Sequence, residues 1–118
     1  MQSKYRLKSR KSYTYIYNHG ISVSNQYMTI VSIPSNKGTK IGFSVSKKVG
    51  NSVTRNKTRR RLKESCRLHI SEFASNTNYI IVAKPDILNL SFSEYWPLIL
   101  QLVQKSLSIN KKQKKIKE

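Results

Sequence analysis

The chain alternates between stretches whose apolar residues recur at helical spacing and stretches where they recur at every second position. Tyr13, Ile16 and Tyr17 stand at i, i+3 and i+4, with Ser9 placed as an N-cap and Gly20 just past the end, which predicts a helix over 9–19. Residues 21–33 read as one strand, with Tyr27, Thr29, Val31 and Ile33 on one side, Met28, Ile30 and Ser32 on the other, and Pro34 as its end. The polar stretch 35–39 reads as the turn of a hairpin, because residues 40–46 alternate cleanly. Ile41, Phe43 and Val45 face a core there, while Gly42, Ser44 and Ser46 leave the other side nearly bare backbone, open to a packed helix or a nucleic-acid strand. From Thr54 the period is helical again: Thr58, Leu62, Cys66, His69 and Phe73 form one stripe, with Asn56, Arg60, Lys63 and Arg67 opposite.

A break at 75–78 precedes the apolar run Tyr79-Ile80-Ile81-Val82-Ala83, the pattern of a central strand buried on both faces and paired with 40–46. Lys84-Pro85-Asp86 turns the chain out. Ser91 and Glu94 then have capping-box spacing before a last helix whose Tyr95, Leu98, Ile99, Leu102 and Val103 share a side, with Pro97 near its start. The order α-β-β(-β)-α-β-α, with an extra strand boundary allowed within 23–46, predicts a two-layer α/β sandwich: three helices covering a mixed sheet of about four strands. The 118 residues form a single domain, with a basic leader at 1–8 resting on the body through Leu7 and a basic tail at 109–118 that has nothing to bury and is expected to be disordered when free.

Charge narrows the partners. Lys and Arg number 23 against 5 Asp and Glu, a formal net charge of +18. Such self-repulsion opposes compaction and is best tolerated beside a polyanion. A bilayer is the weaker candidate, because the apolar run around 98–103 is far short of the ~20 residues that span one, and the N-terminus has no signal-peptide core. Cys66 is the only cysteine and lies on the apolar stripe, which suits a buried thiol in a reducing cytoplasm. With 2 histidines there is no metal-ligand cluster, and the spacing after Gly50 is not that of a P-loop.

The positive charge is densest over 47–67, where Glu64 is the only acid. Arg55, Lys57 and Arg59 sit near the start of the predicted helix, where the helix dipole favours carboxylates. Arg55 with Arg59, and Arg59 with Lys63, are like charges at i, i+4, each pair costing roughly 0.2–0.5 kcal/mol. A phosphate would relieve both effects. An ordinary solvated face mixes its signs, and this one does not.

Lys47-Lys48-Val49-Gly50-Asn51-Ser52-Val53-Thr54-Arg55-Asn56-Lys57, followed by Arg59-Arg60-Arg61-Leu62-Lys63, resembles the signature of the bacterial ribonuclease P protein subunit, and the likeness runs over roughly 7–106. Lys57 stands where that signature more often has Arg, keeping the charge without the bidentate fork. The resemblance implies a ribonucleoprotein that removes the 5′ leader of precursor tRNA, with the RNA subunit as catalyst through Mg²⁺ and a protein that is inactive alone and binds no cofactor tightly. It implies contacts to the catalytic RNA from Lys47, Lys48, Asn51, Arg55, Asn56, Lys57, Arg59, Arg60, Lys63 and Arg67, and to the leader from Tyr13, Tyr17, Ser44 and Ser46. Also implied are a cytoplasmic location, no obligate protein partner, and a left-handed crossover around the basic helix where ~98% of such units are right-handed. The residues agree with a non-catalytic role, since no carboxylate pair, His cluster or activated nucleophile is present. A structural RNA-binding protein of ribosomal or assembly type shares the charge and fold class. Sequence-specific DNA binding lacks the spacing of a helix-turn-helix.

Overall fold

The computed structural model describes residues 2–109, except the side chain of Ser3, and the backbone alone of 110–117. The main elements are α1 (Arg10–His19), β1 (Ile21–Ser24), β2 (Met28–Pro34), β3 (Lys40–Ser44), α2 (Ser52–Leu68), β4 (Thr77–Ala83) and α3 (Phe92–Lys117), with short 3-10 turns at Ser3–Tyr5, Ile70–Glu72 and Pro85–Asn89. The expected tail disorder at 109–118 concerns positions that, from 110 on, lie outside the fully described residues.

The sheet order is β1-β2-β4-β3. β4 is central, as its continuous apolar run predicts: it runs antiparallel to β2 and parallel to β3. The α/β sandwich of three helices on a small mixed sheet is therefore the fold formed. The helices divide between the two faces, giving one layer more than expected. Met28, Ile30, Tyr79 and Ile81 meet Leu62, Cys66, Tyr95 and Ile99 of α2 and α3 on one side. Val31 and Ile80 meet Leu7 and Ile16 on the other, with Tyr13, Ile33 and Val82 packed around them. A strand that is apolar on both faces needs cover on both, and α1 supplies the second.

The extra strand boundary allowed within 23–46 falls at Asn25, and one expectation, the hairpin, is corrected. Residues 21–33 are two strands, because Asn25 folds the chain back: its Oδ1 accepts the N–H groups of Tyr27 at 2.8 Å and Met28 at 2.9 Å. Side-chain mimicry of a backbone turn of this kind needs no glycine. The predicted hairpin through 35–39 does not form, since β2 and β3 each pair with β4. That loop is pinned to the turn before β4, with Ser35 N donating to Asn76 O at 2.8 Å and Thr39 Oγ1 to Ala74 O at 2.8 Å.

Helix ends follow their local chemistry. Gly20 ends α1 in extended backbone (φ −81°, ψ 168°) instead of the left-handed turn expected of a terminal glycine. Its bareness serves close approach, since a Cβ there would lie 2.6 Å from Ile16 O and 2.9 Å from Ser32 O. At α3, Glu94 Oε1 accepts from Ser91 N at 3.0 Å and from Ser91 Oγ at 2.8 Å, the backward half of the capping box. Tyr95, Ile99, Leu102 and Val103 are buried, Leu98 is half-buried, and Pro97 lies inside the helix.

Candidate nucleic-acid interface

α2 begins at Ser52, two residues before the predicted start, because Asn51 caps it: the Asn51 Oδ1 accepts the Thr54 N–H at 2.9 Å. Capping of this sort is worth about 1 kcal/mol and commits that oxygen to the helix. The buried stripe holds Thr58, Leu62, Ser65 and Cys66. The two hydroxyls donate back to Thr54 O and Arg61 O, so the core face carries polar residues without orphaned groups. His69 lies off this stripe, stacked on Trp96 with ring centroids 4.3 Å apart.

On the other side of α2, Asn56, Lys57, Arg60 and Arg67 are exposed, while Arg55, Arg59 and Lys63 are half-buried. Lys47 and Lys48 are exposed in the turn before the helix, which Val49 N closes onto Ser46 O at 3.0 Å. These cations differ in availability. Arg67 grips Glu64 with both prongs, at 2.6 and 3.0 Å, a pairing that lowers the Glu64 carboxyl pKa and raises that of the guanidinium. Arg59 donates to Asn56 Oδ1 at 3.1 Å, which braces both on the surface. Arg61 is half-buried beside Tyr95 of α3, whose pKa burial raises and the Arg61 charge partly brings back down.

The predicted leader-contacting residues are placed along α1 and β3. The Tyr13 ring covers Gly42, where a Cβ would come within 2.6 Å of Cζ. Its hydroxyl oxygen accepts the Phe43 N–H at 3.2 Å. Burial pushes the Tyr13 pKa up, with Tyr17 adding to the rise, while the Phe43 N–H, Arg59 and Arg6 oppose it. Tyr13 is thus partly spent on packing, whereas Tyr17 is 46% exposed and offers its ring. Ser44 is half-buried two residues beyond Gly42 on the same side of β3, and Ser46 is exposed past the strand's end.

A cleft of about 200 Å³ beside the Tyr13 hydroxyl joins this surface to α2. Arg6, Arg59 and Lys63 converge on it, and none of its lining residues is acidic. The Lys63 pKa is lowered, first by burial and then by Arg6 and Arg59. Because the Tyr13 oxygen already accepts a hydrogen bond, its own proton is left to donate toward whatever occupies the cleft. Cations and a hydroxyl donor without a counter-acid are what an anion such as a phosphate requires.

Arg6 was not singled out from the sequence, although its leader was. Leu7 is buried as expected, and its N–H donates to Ile41 O at 3.1 Å, laying the leader along the outer edge of β3. The alternation of Lys4, Arg6 and Lys8 with Tyr5 and Leu7 carries that signal, because fixing Leu7 inward turns Arg6 away from it. Among the described residues, no group of three or more His, Cys, Asp or Glu could hold a metal ion, and no helix is long and apolar enough to cross a membrane. Cys66 is buried, and desolvation pushes its thiol far above the ordinary range.

Residues 1–107 match the family described as Ribonuclease P. The chain belongs to that family. It is 36% identical to the ribonuclease P protein component of Finegoldia magna over 106 residues, 90% of this chain and 94% of that one. The solved ribonuclease P protein of Staphylococcus aureus superposes with a TM-score of 0.70 at 28% identity, covering 91% of this chain and 95% of that one. The protein from Thermotoga maritima shares the fold at a TM-score of 0.77 and 20% identity, over 85% and 96% of the two chains. The function is that of the family: a role in the ribonuclease P ribonucleoprotein, the endoribonuclease that processes the 5′ ends of tRNA. A structural RNA-binding role apart from cleavage is not favoured.

Proposed function

We propose that the outer face of α2 grips phosphates of the catalytic RNA while the surface between α1 and β3 receives the 5′ leader of precursor tRNA. The observation that carries this reading is the meeting of the two surfaces at one cleft. Arg59 and Lys63 of α2 and Arg6 of the leader segment face the hydroxyl that ties Tyr13 to β3. Both nucleic acids are thereby held against one rigid body, and the protein's contribution is positioning. Lys47, Lys48, Lys57 and Arg60 supply long-range attraction, and Arg55, Arg59 and Lys63 closer contacts. Asn51 and Asn56 act mainly by holding the helix start and Arg59. Tyr17 is the stacking platform, worth about 1–3 kcal/mol for a base laid on it, with Tyr13, Ser44 and Ser46 lining the path.

The RNA subunit supplies the Mg²⁺ chemistry, and the protein works in the cytoplasm without a further protein partner. The reading is tested by mixing the purified chain with a bacterial ribonuclease P RNA at low Mg²⁺ and following cleavage of a precursor tRNA. Rescue of cleavage by this chain, and none by an unrelated basic protein, is the expected result; equal rescue by both removes the specific role.

A further inference from the structure

A second cavity, of about 310 Å³, lies on the far side of the strap formed by Arg6 and Leu7, and those two residues line both cavities. Its walls are the first turn of α1 with Ser9 and Ser12, the 35–39 loop with Ser35 and Lys37, and Lys40 at the start of β3. None of its lining residues is acidic or aromatic. Arg6, Lys37 and Lys40 take part in no ion pair among the described residues. Cations gathered this way repel one another and leave a local positive potential that only a bound anion offsets.

The donors are also held in place. The loop carrying Ser35 and Lys37 is pinned at both ends, by Ser35 N on Asn76 O and Thr39 Oγ1 on Ala74 O. Ser35 Oγ accepts the Lys37 N–H at 3.2 Å, which leaves its own proton to donate. The first turn of α1 carries no acid, and Ser9 makes no side-chain capping bond. Hydroxyl donors and cations without rings suit a phosphate and offer a base nothing to stack on.

We infer that this cavity is a phosphodiester site for single-stranded RNA, occupied by the leader upstream of the part that lies in the Tyr13 and Tyr17 cleft. The inference rests on the proposed reading of that cleft. A strand leaving the cleft crosses Arg6, which faces both cavities, and enters a groove that reads backbone and no sequence. The catalytic RNA offers the same phosphate chemistry, and leader length separates the two sources.

The test uses the reconstituted holoenzyme carrying Lys37→Gln with Lys40→Gln, and precursors whose leaders run from about 2 to about 12 nucleotides, within the span single-strand grooves cover. Binding of the shortest leader is expected to be unchanged and that of the longest to weaken about tenfold, with a salt slope shallower by roughly one unit. Equal weakening at every length, leaderless tRNA included, places catalytic RNA in the cavity and overturns the leader assignment. No change at any length overturns the site itself. Tyr17→Ala is run alongside. If it weakens leader binding while the double variant does not, only the second site fails; if neither has an effect, the cleft reading fails as well.

Discussion

The Tyr13 hydroxyl and the Phe43 backbone amide are hydrogen-bonded across 3.2 Å, joining the first helix to the outer strand of the sheet. Tyr13→Phe keeps the ring over Gly42 and removes the acceptor. It should cost about 1–3 kcal/mol, the penalty for an amide left without a partner. Urea unfolding reads this as a lower midpoint at unchanged m-value. A midpoint equal to that of the parent would mean that solvent satisfies the amide.

Gly20→Ala should be destabilising by about 1–3 kcal/mol. The new methyl would meet carbonyl oxygens of Ile16 and Ser32, and backbone cannot swing aside as a flexible side chain can. Thermal melting of the variant checks it.

Removing Arg60 and Lys63 together, each to Gln, should lower affinity for the catalytic RNA and flatten its salt dependence by about one unit of slope for each phosphate no longer neutralised. Arg67→Gln should do less, because Glu64 already holds that guanidinium at 2.6 Å. Binding isotherms over a range of salt distinguish them, with Arg60→Gln alone as the matched comparison; an Arg67→Gln loss as large as that of Arg60→Gln would contradict the ranking.

Phosphate added at constant ionic strength should raise the melting temperature by mass action, and Lys63→Gln should blunt the rise. The pH dependence has a definite sign. The Lys63 pKa is lowered in the folded protein, so its contribution to stability grows as pH climbs from the folded pKa to the ordinary lysine value, where the unfolded chain still holds the proton. A bound anion restores the folded pKa and weakens that trend. Melting curves between neutral and alkaline pH, with and without phosphate, measure it.

Cys66 should resist thiol reagents at neutral pH, because burial keeps its thiol protonated and out of reach. Labelling should therefore follow unfolding of the chain, and labelling rates across a urea series should track the unfolded fraction. Fast modification in the absence of denaturant would overturn the assignment.

Much of this architecture was legible because it is written in short-range periodicity. The apolar face of α2 from Thr58 to Cys66, the two-sided burial of β4 and the Ser91 and Glu94 cap needed only spacing to be found. The turn at Asn25 was hidden because an asparagine side chain does there what glycine usually signals, within a run that is otherwise continuous strand. The pairing of β3 with β4 was legible, but the hairpin expected between β2 and β3 does not form: β4, returning from across the whole of α2, lies between them. At the candidate site the basic residues of α2 were visible as composition. The Arg67 pair with Glu64 and the Asn51 cap are local, each three residues apart, and were open to the same spacing argument; the placement of Arg6 by Leu7 on β3 is a fact of three-dimensional neighbourhood.

The leader segment along β3 has one more effect. Open outer strands invite copies of a protein to join edge to edge into polymers. Here the Ile41 carbonyl is taken by Leu7 and the Phe43 amide by Tyr13, so a stretch that could recruit another molecule is closed by the chain's own first residues. The outer edge of β3 thus has fewer unpaired backbone groups to offer a neighbouring strand than its position at the sheet's end would suggest.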